Sequence, residues 1–277
     1  MTPDAYCQDK AAGSGSSFYY AFLFLPPARR RAITALYAFC REVDDVVDEC
    51  SDPQLAATKL AWWRSEVARL YAQQPEHPVT RALAPAIEPF GIRAEHLNEI
   101  IAGMEMDLTQ TRYLDFAALE RYCYRVASVV GLVSAGIFGY RDARTLEYAR
   151  LLGLAFQLTN IIRDVGEDAR KNRIYLPMDE LRAHGVPAAD ILAARQTEAF
   201  TALMTAQALR ARDIYARALA ALPALDRRAQ RPGLIMAAIY RALLDEIERD
   251  GFHVLSQRTS LTPLRKFWIA CRTWLAT

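Results

Sequence analysis

The stretch Tyr37-Ala-Phe-Cys-Arg41-Glu-Val-Asp44-Asp45-Val-Val-Asp48-Glu49 decides the fold. At 100° per residue, Tyr37, Arg41, Asp44 and Asp48 fall at i, i+4, i+7 and i+11, within about 60° of one another on one helical face. Ala38, Phe39, Val43, Val46 and Val47 surround that face with apolar surface. Two carboxylates one turn apart repel each other. Such a face needs a cation from outside its own helix. Hard oxygen ligands suit Mg²⁺, held by one or two carboxylates together with substrate phosphate oxygens. The plain alternative is a solvated acidic face on which Arg41 serves as a local ion-pair partner.

A second stretch, Gln157-Leu-Thr-Asn160-Ile-Ile-Arg163-Asp164-Val-Gly-Glu167-Asp168, repeats the pattern. Gln157, Asn160, Asp164 and Asp168 sit at i, i+3, i+7 and i+11, again on one face. The run before it, Leu151-Leu-Gly-Leu-Ala-Phe156, is strongly apolar. Polar side chains in a row on such a helix are costly unless they pair or bind something. A basic turn follows, Arg170-Lys171-Asn172-Arg173-Ile-Tyr175-Leu-Pro177, with groups able to hold diphosphate oxygens. The alternative here is a buried polar network between helices. Two such stripes could face each other across the centre of an antiparallel helical bundle. Between them a small cluster of Mg²⁺ ions and a diphosphate fit, and an apolar remainder suits a hydrocarbon tail.

The rest of the chain agrees with an all-α protein. Strand signals are scarce, and 3.6-residue periodicity runs through most of the 277 residues. Helices are predicted over roughly 27–49, 53–70, 94–108, 116–138, 142–168, 188–221, 231–251 and 263–275, in a single domain covering 1–277. Segments 129–139 and 151–162 are apolar nearly all round and belong at the bundle centre. The interval 169–187 is the longest without helical periodicity, the kind of irregular segment that serves as a lid beside a site. A net charge of +2 with no concentrated basic stripe argues against nucleic acid as a partner. Five cysteines without a C-x-x-C pair read as thiols of a reducing compartment. No apolar run reaches the ~20 residues of a membrane span, and the N-terminal residues do not read as a secretory leader. A cytoplasmic location is expected. The basic and aromatic helix from Arg265 to Leu275 reads either as a terminal helix docked on the core or as a peripheral contact at the inner membrane surface.

At these residues the sequence resembles the squalene/phytoene synthase family, the head-to-head prenyl transferases. The resemblance spans nearly the whole chain. It rests on Ser17-Phe-Tyr-Tyr-Ala-Phe-Leu-Phe-Leu-Pro26, the two acidic stretches, Tyr124-Arg-Val-Ala-Ser128-Val-Val-Gly131 and Arg173-Ile-Tyr175-Leu-Pro177. It implies a single-domain isoprenoid synthase bundle around a central cavity. It also implies that Asp44, Asp48, Asn160, Asp164 and Asp168 bind a cluster of up to three Mg²⁺ ions. Ser14, Ser17, Tyr37, Arg41, Gln157, Arg163 and Tyr240 would contact the substrate and its diphosphates, with Arg258 a further phosphate contact. Tyr37, Arg41, Asp44, Asp48, Tyr124, Asp164 and Asp168 would form the catalytic set, Tyr124 lying near the ionising or proton-handling centre. Ser128 stands where many relatives carry glycine, and would narrow the tail channel or add a hydroxyl to it.

Within the family, Tyr6-Cys7-Gln8, Gly103-Met-Glu-Met-Asp107-Leu and Tyr122-Cys-Tyr124-Arg-Val are most similar to the enzymes that make presqualene diphosphate for hopanoids. The expected reaction is therefore condensation of two farnesyl diphosphates, stopping at presqualene diphosphate and needing no NADPH. Each buried CH₂ contributes about 0.8 kcal/mol, so two C15 tails would bind well through an apolar wall. Downstream pathway enzymes would receive the product. The alternatives are a C20-using phytoene synthase, a full NADPH-dependent squalene synthase, a chain-elongating transferase or terpene cyclase, and a protein that binds the diphosphate or lipid without turning it over.

Overall fold

The computed structural model describes residues 1–13, 21–22, 24–50 and 52–277, and among them it is a helical bundle. The only β-type pairing among these residues is an isolated bridge between Arg112 and Ile174.

Each long helix begins where the sequence supplies a start signal. Pro27 opens the helix Pro27–Glu49, where its missing N–H would have had no intrahelical partner. Asp52 caps Pro53–Tyr71 by accepting from the backbone N–H of Gln54 at 2.8 Å, and Asp115 caps Phe116–Cys123 through Ala118 N–H at 2.7 Å. The predicted helix over 188–221 is two elements, Ala188–Leu192 and Glu198–Ala221. An alanine-rich run hides the break. Thr197 accepts from the N–H of Phe200 at 3.1 Å and starts a new helix, while Ala194 takes the left-handed φ of 52°. The interval 169–187 holds a turn, the bridge at Ile174 and the short helix Met178–Ala183.

The helix Arg144–Arg170 is the axis of the bundle. Glu198–Ala221, Val129–Phe138 and Arg231–Arg249 pack around it, and Pro263–Ala276 covers Arg231–Arg249 from outside. Close approach on one side depends on two glycines. A Cβ on Gly131 would sit 2.4 Å from the carbonyl oxygen of Ala149, and one on Gly153 would sit 2.5 Å from that of Ala127. The chain between Phe116–Cys123 and Val129–Phe138 runs through a π-helical turn, Tyr124–Ser128, which lies against Gly103. The Pro27–Glu49 helix does not pack closely on Arg144–Arg170. The space between them is the cavity described below.

One buried carboxylate supports the outer layer. Glu66 is 0% exposed; one of its oxygens accepts from the N–H groups of Glu76 and His77, each at 2.8 Å, and from the Thr80 hydroxyl. Its other oxygen takes Arg69 Nε at 2.7 Å. Removing it strands several buried donors and a cation at once. Glu66→Ala is expected to lower unfolding stability by about 3 kcal/mol. Urea unfolding checks this; a loss below about 1 kcal/mol would mean the loop finds other partners.

Candidate active site

The first acidic stripe lies as its periodicity predicts. Arg41 donates to Asp44 at 2.7 Å and to Asp45 at 2.6 Å. Asp48 receives Lys171 Nζ at 2.9 Å and Arg173 at 3.3 Å, so the irregular segment after Arg170 reaches across to this helix. Asp45 points off the stripe. Its other oxygen takes Lys10 at 2.8 Å, beside Glu42, which accepts the Tyr6 hydroxyl at 2.7 Å. Burial raises Asp44 to about 6, against the attraction of Arg41 and helped by Asp48, Asp45 and Asp107.

The second stripe shows the same conflict. Gln157 and Asn160 line the cavity. Asn160 donates to Gln157 at a long 3.4 Å, and its own Oδ1 is buried without a hydrogen-bond partner. Asp164 is held by Arg163, at 2.7 and 2.5 Å, and by Arg258 at 2.9 Å. Burial works against its charge, yet these two guanidiniums keep it below the usual carboxylate range. Asp168 lacks that shelter. Burial, then Asp164 and Asp107, push it up to about 7.

Three residues belong to this site although single-helix periodicity does not point to them. Asp107, 7% exposed, accepts the hydroxyls of Tyr175 at 2.7 Å and Tyr122 at 2.9 Å, and their rings stack with Tyr113. Burial raises it to about 6 despite these bonds. It lies within electrostatic reach of Asp44, Asp48 and Asp168, at the junction of the two stripes. The fragment Gly103–Asp107 was its one sequence signal. Lys266 is the second: burial, then Arg163 and Arg258, lower its pKa, which places a third cation within electrostatic reach of those two guanidiniums. Tyr122 is the third. It takes the buried position at this site, whereas Tyr124, two residues on, is 39% exposed beside Arg150 and is absent from the cavity wall. Two residues at 100° each place Tyr124 on the opposite side of the helix from Tyr122. The expectation that Tyr124 sits at the ionising centre is corrected accordingly.

Tyr37 lines the cavity from the first acidic helix. Tyr240 is buried beside Arg163 and within reach of Tyr37, and its ring lies 4.8 Å from that of Phe156. The structure thus brings Tyr37, Arg163, Asp164 and Tyr240 to one end. Ser14 and Ser17 lie outside the described residues. Ser128 does not face the tail channel. It is 1% exposed and donates to the Arg150 carbonyl at 2.9 Å, tying the π turn to the central helix.

Behind this polar end lies an apolar cavity of about 190 Å³, walled by Val126, Val130, Phe138, Leu152, Phe156 and Met236 among others. The residues fit a hard divalent cation. Their donors are carboxylate and amide oxygens, Asn160 Oδ1 lacks a partner, and Asp44 and Asp168 are anions destabilised by burial. Among the described residues no three His, Cys, Asp or Glu side chains converge into a ready-made cage.

The profile of the squalene/phytoene synthase family matches residues 11–265. A phytoene synthase of Arthrospira platensis is 37% identical over 95% of this chain and 90% of its own length. A 15-cis-phytoene synthase of Synechocystis sp. is 35% identical over 97% of this chain and 83% of its own. The crystal structure of a dehydrosqualene synthase in complex with ligand superposes with a TM-score of 0.90, at 27% identity, covering 99% of this chain and 96% of that one. The curated relatives overturn the expectation of a farnesyl-specific enzyme that stops at presqualene diphosphate. The fragments taken as markers of that subgroup serve other ends. Gly103 admits the π turn, with Val126 only 2.6 Å from where its Cβ would be, and Asp107 anchors Tyr122 and Tyr175. Neither reports tail length. With its sequence matched almost end to end and both acidic stripes in place around one cavity, the chain belongs to the squalene/phytoene synthase family of prenyltransferases.

Proposed function

We propose that this protein joins two C20 prenyl diphosphates, geranylgeranyl diphosphate, head to head to form phytoene. The observation that carries this reading is the near end-to-end similarity to phytoene synthases. From Asn160 at the polar end to Tyr148 at the other, both in the wall, the helix advances about 18 Å at 1.5 Å per residue. A prenyl chain extends roughly 5 Å per isoprene unit from ordinary bond lengths, so this span exceeds the about 15 Å of a C15 tail and lies within one isoprene unit of the about 20 Å of a C20 tail. The phytoene synthases among the relatives support the same tail length.

In this reaction the C1–O bond of one substrate breaks and its diphosphate leaves with the electron pair. The C2–C3 double bond of the second substrate attacks the allylic cation, and loss of a proton closes a cyclopropane. The second diphosphate then leaves, the skeleton rearranges, and a second proton departs. Two diphosphates and two protons are released, and no hydride is required. Asp44, Asp48, Asn160, Asp164 and Asp168 would hold Mg²⁺, which when bound supplies charge neutralisation for the leaving groups. Arg41, Arg163, Arg258, Lys171, Arg173 and Lys266 offer donors to phosphate oxygens as their carboxylate partners are engaged elsewhere. The apolar wall excludes water that would quench the cation. Asp107, through Tyr122 and Tyr175, orients the phenols at the junction of the stripes.

Among the described residues no helix is long and apolar enough to cross a membrane. Peripheral contact fits the greasy substrate. Leu264, Phe267, Trp268 and Leu275 of the Pro263–Ala276 helix are exposed near Arg265 and Arg272.

Purified protein given geranylgeranyl diphosphate and Mg²⁺, without NADPH, is expected to yield a C40 hydrocarbon by mass spectrometry. Farnesyl diphosphate is expected to turn over more slowly. C30 products alone would overturn the C20 reading. Binding of diphosphate without turnover of either substrate would leave a binding protein. Asp164→Asn and Asp44→Asn are each expected to reduce kcat at least about 100-fold, the scale of a lost electrostatic stabiliser.

Protein stability should carry the imprint of the buried carboxylates. Asp44, Asp107 and Asp168 bind protons more tightly folded, at about 6, 6 and 7, than at the ordinary 3.8. The folded state therefore holds more protons, so stability falls as pH rises from about 4 to about 7 and levels off above. Mg²⁺ with inorganic diphosphate is expected to raise Tm strongly at pH 8 and weakly at pH 5. No rise in Tm at pH 8 would remove these residues as a cation site.

A further inference from the structure

At the end of the cavity farthest from the carboxylates, Phe22, Phe138, Gln230 and Tyr148 meet. Phe22 and Phe138 have ring centroids 6.2 Å apart. Gln230 is fully employed, donating to the carbonyls of Ala135 at 3.1 Å and Gly139 at 2.9 Å. Tyr148 is not. It is 1% exposed, and its hydroxyl is buried with no hydrogen-bond partner. A stranded polar group of this kind is costly, and phenylalanine would fill the same space without it.

The neighbour of that hydroxyl is Gly233, near the start of the Arg231–Arg249 helix. A Cβ there would lie 2.5 Å from the Tyr148 oxygen, and the next nearest atoms, on Leu152 and on the Tyr148 ring, would be 3.5 Å away. The glycine therefore leaves room for one atom, the phenolic oxygen. Both residues line the same cavity. The last isoprene unit of a tail reaching this depth would present the π face of its double bond there, and a hydroxyl can donate weakly to such a face.

We propose that Tyr148 and Gly233 form the floor of the tail channel and set the prenyl chain length this enzyme accepts. The proposal rests on the head-to-head reading of the cavity, but not on which tail length the wild type prefers. Any side chain at 233 drives the Tyr148 ring into the channel and shortens it. Removing the ring deepens it.

The test is equilibrium binding, with Mg²⁺, of the thiolodiphosphate analogues of farnesyl and geranylgeranyl diphosphate, which do not turn over readily. The readout is the ratio of their Kd values. Gly233→Ala is expected to shift that ratio toward the shorter tail by about tenfold, the scale on which an apolar pocket reads a small change in length. Tyr148→Leu is expected to shift it toward the longer tail. Tyr148→Phe combined with Gly233→Ala is expected to recover most of the wild-type ratio, because the atom that met the new Cβ is gone. If Gly233→Ala does not fold, Tyr148→Leu still decides. An unchanged ratio in Gly233→Ala or Tyr148→Leu, or no recovery in the double variant, overturns the proposal. Failure of the C20 reading shows separately, as the absence of a C40 product from the wild type.

Discussion

Mutual repulsion among buried carboxylates is the constraint from which the rest of the structure follows. Asp44, Asp107, Asp164 and Asp168 come from three helices and share one partly or fully buried region, with Asp48 exposed at its rim. Within their own helices only Asp44 and Asp164 find a cation, Arg41 and Arg163. The first and third helices cannot close on each other, and the gap becomes the cavity. The other cations that approach come from elsewhere in the chain: Lys171 and Arg173 from the segment after the central helix, Arg258 and Lys266 from near the C-terminus. Electrostatics thus ties the end of the chain to its beginning.

Those cations hold the carboxylates in a way that can be exchanged. The surface-facing pairs are worth little by themselves, so a diphosphate accompanied by divalent cations can take over both sets of partners. Arginines and lysines would turn to phosphate oxygens, and carboxylates to metal. The same side chains that steady one another would then bind the ligand. Protonation serves as the other relief, which is why burial raises Asp168 furthest, where no guanidinium lies in direct contact.

Much of this was readable because a helix turns 100° per residue. That period alone places Asp44 and Asp48, and Asn160, Asp164 and Asp168, on single faces, and it separates Asp45 from its neighbours. What the period cannot reach is contact between helices. Asp107 and Lys266 become site residues through the way three or four helices meet, and nothing in their local pattern distinguishes them from surface charges. Tyr124 owes its expected place to the resemblance alone, and lying two residues from the buried Tyr122 it falls on the opposite, exposed face of the helix. Ser128 was misread because its hydroxyl turns to the backbone of the central helix. Tail length was least legible of all, since it depends on the far wall and not on the motifs around the diphosphate.

A cavity of this size is costly unless its walls cannot collapse inward. The glycines supply that stiffness indirectly. At Gly131 and Gly153 the backbones of two helices touch, with no side chain between them to repack. Ser128 adds a hydrogen bond across the same contact. Helices joined backbone to backbone have no slack to fill the space beside them, so the apolar wall keeps its depth in the absence of a tail. Catalysis through carbocations needs that condition. A wall that followed the substrate would admit water as the charge forms, whereas one fixed beforehand meets the cation with water already excluded. The repulsion at one end opens the channel, and the glycine contacts along its side keep it open.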